Sequence, residues 1–181
     1  HAYRTDYDLK SHMQASGVDM RAFKEGNRFI PHVVEPSFGS DLLVYVAIEY
    51  AFQAKKDRVL LSLPRELAPF HAGIYPLVSK NGLPEKARQI HQALVKEGFN
   101  AEYDESGSIG RRYARADEAG TPLGITVDYL TMKDETVTIR DRDSWKQVRT
   151  PIGKLPELLR AYFFHQKEIE DLGQLVERDS S

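Results

Sequence analysis

Cysteine is absent from the 181 residues, which excludes disulfides and thiolate metal sites. Charge of one sign is also lacking. Twenty-five basic residues face twenty-seven acidic ones, a net charge of −2, so no global basic field exists to hold nucleic acid non-specifically. No apolar run reaches the roughly eighteen residues of a membrane span, and nothing resembles a signal peptide. The expectation is therefore a cytoplasmic protein with no membrane partner. The six histidines, at positions 1, 12, 32, 71, 91 and 165, show no metal-ligand spacing, so no metal site is assigned. Methionine is not the first residue, so the chain reads as processed or as a piece of something longer. What remains is 41% apolar, enough for a packed core.

Leu42 to Ile48 (LLVYVAI) is uninterrupted apolar sequence within Asp41 to Ala54, free of proline and glycine, and predicts a helix buried on most sides. Phe29 to Val34 before it is strand-like, with Pro36 and Gly39 marking a turn. A charged connector, Lys55 to Arg58, leads to an apolar strand, Val59 to Leu63, and Pro64 and Pro69 mark a boundary. The remainder is regular. Strands are predicted over 70–78, 99–103 and 123–130, and helices over 83–97 and 109–119. The helices are stopped by Gly98 and Gly120. Thr136 to Arg140 pairs with Lys146 to Thr150 across an RDRDS turn, and a C-terminal helix runs from Ile152 to Phe164, with continuation toward Val176. The order strand–helix–strand–helix–strand–hairpin–helix predicts an α/β domain with a mixed sheet.

The densest chemistry lies in Glu102 to Gly120 (EYDESGSIGRRYARADEAG) and Thr136 to Ser144 (TVTIRDRDS). In the helix, Ile109, Tyr113 and Ala116 fall at i, i+4 and i+7 and predict the buried stripe. Arg111, Arg115 and Glu118 share that spacing on another face, with Arg112 beside them. Guanidinium groups suit phosphates and base edges, and a carboxylate can accept from a cytosine amino group. The Gly/Ser turn before the helix offers N–H groups to a phosphate. Together these suggest a surface that reads an RNA loop. The competing reading is a solvated, salt-bridged helix face. Arg140 and Arg142 sit in a turn that reads equally as a local ion-pair cluster. Trp145 and Tyr129 could stack on bases, although a lone strand aromatic is more often core. Glu35-Pro36-Ser37 places a carboxylate and a hydroxyl at a strand end, able to bind an ammonium or a metal-bound phosphate, or simply to cap the next helix.

Six stretches, in order, resemble the C-terminal part of a glycyl-tRNA synthetase of the dimeric class II type. They are RTDYDL (4–9), FIPHVVEPSFGSD (29–41), LAPFHAGIYPLV (67–78), YDESGSIGRRYARADEAGTP (103–122), ITVDY (125–129) and TVTIRDRDSWKQVR (136–149). The resemblance reaches almost to Arg160. It implies that residues 1–63 are the end of a class II catalytic domain with its third motif. Residues 64–181 would then be an anticodon-binding domain, a five-stranded mixed sheet with flanking helices. By the same resemblance Ser37 lines a glycine pocket, Glu35 lies on the ATP side, and Arg4 and Asp6 lie near the same site. Arg111, Arg112, Arg115, Glu118, Arg140 and Arg142 are implicated in reading the anticodon.

The complete enzyme would use ATP and magnesium, take glycine and tRNA(Gly) as partners, and work as a homodimer with the rest of its catalytic domain. Two departures stand out. The family places a phosphate-clamping arginine where this chain has Leu42, and the first two class II motifs do not occur in it. Two functions follow as hypotheses: the anticodon-recognising portion of a glycine–tRNA ligase, inactive by itself, or a non-catalytic synthetase-like nucleic-acid-binding or accessory protein.

Overall fold

The computed structural model describes residues 2–3, 7–34, 36–55 and 58–176. The chain forms two compact units, residues 1–45 and 46–181. The expected division after residue 63 falls within the second.

In the first unit, β1 (Ala2–Tyr3) pairs antiparallel with β4 (Val33–Val34), and α1 (Tyr7–Ser16) lies between them in sequence. Strands β2 (Ala22–Lys24) and β3 (Asn27–Phe29) form a hairpin. Its turn residues, Glu25 and Gly26, both take positive φ, which matches a two-residue turn to strand twist. The strand expected over 29–34 is thus split into the ends of two separate pairings.

The unit boundary lies inside α2 (Ser40–Ala51). The helix forms where the apolar run predicts it, but its burial is a correction: only Ala51 is buried, and Leu42 is 64% exposed. A run that is apolar all round encodes partners on every side, and the described residues supply none along most of its length. The helix is also shorter than expected. It stops at Ala51, and Phe52–Lys55 becomes β5, paired with β6 (Arg58–Leu61).

A 3₁₀ turn at Arg65–Leu67 leads into a sheet that holds most of the second unit. Its members are β7 (Ala72–Pro76), β8 (Ala101–Tyr103), β9 (Leu123–Val127), β10 (Thr136–Asp141), β11 (Gln147–Pro151) and β12 (Gln174–Leu175). They stand in the order β12-β11-β10-β9-β7-β8. Strands β8, β7 and β9 run parallel, and the rest pair antiparallel. Five strands and a mixed sheet are as the sequence implies. The sixth, β12, occupies a stretch expected to be helical. There α6 (Leu155–Phe163) ends early, and Glu168 and Asp171 cap each other across a 3₁₀ turn at Ile169–Leu172. That local capping box competes with continued helix.

Helices α3 (Leu83–Lys96) and α6 cover one face of the sheet. Leu83, Ile90, Leu94, Leu155 and Leu159 pack there on Ile74, Ile125, Ile139 and Val148. Side chains alternate along a strand, so Tyr75, Gly124, Thr126 and Arg140 point to the other face. There lies α4 (Ile109–Ala119), with the Tyr113 hydroxyl 2.5 Å from Thr126 Oγ1. Glycine is required beneath it. A Cβ on Gly124 would stand 2.7 Å from the Tyr113 ring, and one on Gly73 would overlap the Tyr75 hydroxyl. A short helix, α5 (Thr131–Asp134), joins β9 to β10 and was not foreseen.

Candidate nucleic-acid interface

Helix α4 starts after Ser108 and ends at Gly120, whose φ of 82° gives the left-handed turn that closes a helix. One further glycine-specific contact applies here: a Cβ on Gly120 would meet the Leu63 side chain at 2.9 Å. The inward stripe of α4 is wider than Ile109, Tyr113 and Ala116. Arg112 and Asp117 lie in it too, both buried.

Arg112 is 2% exposed and spends its donors on backbone. Nη1 donates to the Pro76 carbonyl, Nη2 to Glu105 (2.8 Å) and Gly107 (2.6 Å), and Nε to Ser106 (3.4 Å). It therefore pins the 104–108 loop to the end of β7. Asp117 is the acceptor at the centre of a second cluster. Its two oxygens take a fork from Arg140 (2.9 and 3.2 Å), and Oδ2 also accepts from Arg58 at 2.9 Å. The Arg140 guanidinium lies 4.7 Å from the Tyr113 ring centre, and Arg58 lies 5.2 Å from that of Trp145. Arg142, with 2% of its side chain exposed, donates to Gly120 and Leu63 carbonyls at 2.8 Å each and forks onto Asp143. Burial pushes the Asp143 carboxyl up. The hydrogen bonds from Arg142 and Ser62 outweigh that and hold it below the usual carboxylate range.

The six expected anticodon residues therefore divide. Arg112, Arg140 and Arg142 are buried and committed to carbonyls and carboxylates. Arg111, Arg115 and Glu118 are exposed along one stripe of α4. At 1.5 Å per residue that stripe is about 10 Å long. Arg115 is oriented by Asp104, which accepts from Nε at 3.0 Å and from Nη2, and by the Ser106 carbonyl at 2.7 Å. Its Nη1 has no partner among the described residues. Burial raises the Asp104 carboxyl, but the hydrogen bonds from Arg115 and the Ser106 N–H, with the nearby arginine charges, more than compensate and hold it below the ordinary carboxylate range. Arg111 and Glu118 have no ion-pair partner among the described residues.

Of the expected glycine and ATP residues, Arg4, Asp6 and Glu35 lie outside the described residues, and Ser37 is exposed. Among the described residues no cluster of three or more histidine or acidic side chains is placed to hold a metal ion.

The residue pattern does not assign Asp104, Asp117 and Asp128 as partners of the arginines, yet Asp104 pairs with Arg115, Asp117 with Arg58 and Arg140, and Asp128 with Arg149. A signal for burial existed for Asp117, as for Arg112: they fall at the i+8 and i+3 positions of the stripe that begins at Ile109.

Residues 71–162 match the family model described as an anticodon binding domain. The chain belongs to that family. The anticodon-binding domain so defined contains α3, α4, α5, all but the last residue of α6, and strands β7 to β11. Beyond it, the chain is 50% identical over 160 residues to the glycine–tRNA ligase of Aeropyrum pernix, which covers 88% of this chain and 27% of that one. Identity to the Archaeoglobus fulgidus glycine–tRNA ligase is 45% over 152 residues, 82% of this chain and 27% of the relative. For Methanocaldococcus jannaschii it is 47% over 136 residues, covering 75% and 24%. The chain thus spans about a quarter of the length of these relatives and corresponds to their C-terminal portion. A solved prolyl-tRNA synthetase from Cryptosporidium parvum, complexed with halofuginone and AMPPNP, shares the fold. Its TM-score is 0.52 at 22% identity, over 58% of this chain and 24% of that one.

Proposed function

We propose that this chain is the part of a glycine–tRNA ligase that recognises the anticodon of tRNA(Gly), through the exposed stripe Arg111, Arg115 and Glu118. The observation that carries this reading is that the anticodon-binding family match contains a helix face where two arginines and a glutamate stand open while Arg112, Arg140 and Arg142 are buried. Glycine anticodons share two cytosines. Glu118 can accept from a cytosine amino group, and a free arginine donor can reach the carbonyl and ring nitrogen. Phosphate contacts alone would carry no sequence information. Arg115→Ala or Glu118→Ala is expected to weaken tRNA(Gly) binding by about 1–3 kcal/mol. Each should also narrow the preference for cytosine over uracil in the anticodon. Lys96→Ala, on α3, should change neither. The measurement is tRNA binding at two salt concentrations, with glycine tRNA and an anticodon-swapped version. Unchanged affinity and discrimination in the triple alanine variant would place the anticodon surface elsewhere.

Within the same reading, residues 1–63 are the end of a catalytic domain and 64–181 the anticodon-binding part. The complete, cytoplasmic enzyme would act as a homodimer, joining glycine to ATP with magnesium before transfer to the tRNA. Arg4, Asp6, Glu35 and Ser37 would belong to its glycine and ATP site. Of these only Ser37 is described, and the alkyl side chain of Leu42 offers no charge to a triphosphate. No catalytic step is therefore derived from this chain.

Leu42 is the specific observation behind a second reading, a non-catalytic synthetase-like protein that binds RNA. On either reading the chain by itself should show no glycine-dependent ATP–pyrophosphate exchange. Exchange above background that Ser37→Ala abolishes would contradict this. The two readings part when the missing catalytic portion is supplied: restored exchange favours the ligase.

A further inference from the structure

Three loops meet at the carboxyl ends of the parallel strands: residues 77–82 after β7, 104–108 after β8 and 128–130 after β9. In open α/β sheets this end is where ligands bind. The loops are held together from inside. Arg112 joins the Pro76, Glu105 and Gly107 carbonyls, Leu77 N–H donates to the Val127 carbonyl at 2.8 Å, and the Ser79 hydroxyl donates to the Glu105 carbonyl at 3.4 Å.

The third loop presents an aromatic ring outward. Asp128 anchors it, accepting from the Leu130 and Thr131 N–H groups (2.9 and 3.0 Å) and from a fork of Arg149 (2.8 and 3.0 Å). On that rigid base Tyr129 is 47% exposed, with Leu130 and Met132 about half exposed beside it. The Asn81 amide donates to the Tyr129 phenol oxygen at 3.5 Å from the left-handed tip of the first loop. A half-exposed aromatic ring with an amide at its rim is the chemistry that takes a flat heterocycle with hydrogen-bonding edges. The Arg115 guanidinium belongs to the same end of the sheet, because its partners Asp104 and Ser106 are in the second loop.

We propose that Tyr129 is a stacking platform for an unpaired base of the RNA loop outside the anticodon, with Asn81 at that base's edge. This extends the surface of Arg111 and Arg115 across the carboxyl ends of β8, β7 and β9. The proposal rests on the anticodon-recognition reading for its RNA. It adds a contact that reads stacking where the arginine stripe reads edges.

The test uses the chain with an RNA hairpin carrying a glycine anticodon loop, substituted by 2-aminopurine at one loop position at a time outside the anticodon. Stacking should quench one of these fluorophores in the unmodified protein and in Tyr129→Phe. Tyr129→Leu should lose that quench and bind about 10- to 100-fold more weakly. The side chain is half exposed, so thermal unfolding of Tyr129→Leu should match that of the unmodified chain. Tyr129→Leu binding and quenching like the unmodified chain, while the Arg111, Arg115, Glu118 triple variant loses affinity, overturns the platform and leaves the anticodon stripe standing. The converse result keeps the platform and removes the stripe. A substitution that changes self-association of the chain but not hairpin binding makes this a protein contact and overturns the proposal. No hairpin binding by the unmodified chain overturns both.

Discussion

Asp117→Ala will lower the unfolding free energy of the second unit by about 3–5 kcal/mol, the range found when one member of a buried ion pair is removed. Asp117 is 1% exposed and neutralises two arginines, one of which, Arg140, has only 6% of its side chain exposed. Truncation leaves the Arg140 guanidinium beneath α4 without its carboxylate, beside the Tyr113 and Trp145 rings. The carboxylate is away from solvent, so added salt should change the loss little. The double variant Asp117→Leu with Arg140→Met removes the two most buried charges and leaves only the partly solvated Arg58 unpaired, so it should cost clearly less than the sum of the two single changes. Denaturant unfolding of the unmodified chain, Asp117→Leu, Arg140→Met and the double variant measures the coupling. A loss under about 1 kcal/mol for Asp117→Ala would mean that the cluster is hydrated in solution.

Arg112→Met should be comparably damaging, at about 3–5 kcal/mol, although no carboxylate is involved. Methionine retains much of the aliphatic volume, so the loss reports hydrogen bonding more than packing. Four carbonyls, at Pro76, Glu105, Ser106 and Gly107, would lose their donor together. Arg112→Lys should recover only part of this, since a point ammonium cannot reach acceptors spread around a planar fork. Hydrogen exchange in residues 104–108 should rise in both variants, ahead of any change in β10 and β11. Full stability in Arg112→Met would show that water replaces the guanidinium without cost.

These two expectations rest on features the sequence displays only partly. The bounds of α4 were legible because a serine precedes it and a left-handed glycine ends it, and the β10–β11 hairpin was legible from its charged turn. The fates of the arginines were not. Whether a guanidinium meets solvent or four carbonyls depends on where β7 ends relative to the loop before α4, a long-range relation with no local trace. For the same reason Arg115, one turn from Arg112 and of the same residue type, is exposed. The strand Phe52–Lys55 was missed because its first residues prolong the apolar run of α2, and pairing with Arg58–Leu61 overrides helical propensity there. The exposed side of α2 lies at the opposite extreme: its pattern asks for burial that the described residues do not provide.

The pairing of Arg115 with Asp104 also bears on how tightly RNA can be held in salt. Two arginines and two acids, Asp104 and Glu118, sum to zero along the stripe, so an RNA loop seated there finds little net charge with which to displace its condensed cations. Ion release, the usual driving force of RNA association, is then weak at this surface. A complex formed there would persist at ionic strengths that strip an ordinary basic patch, and would form more slowly for want of long-range attraction.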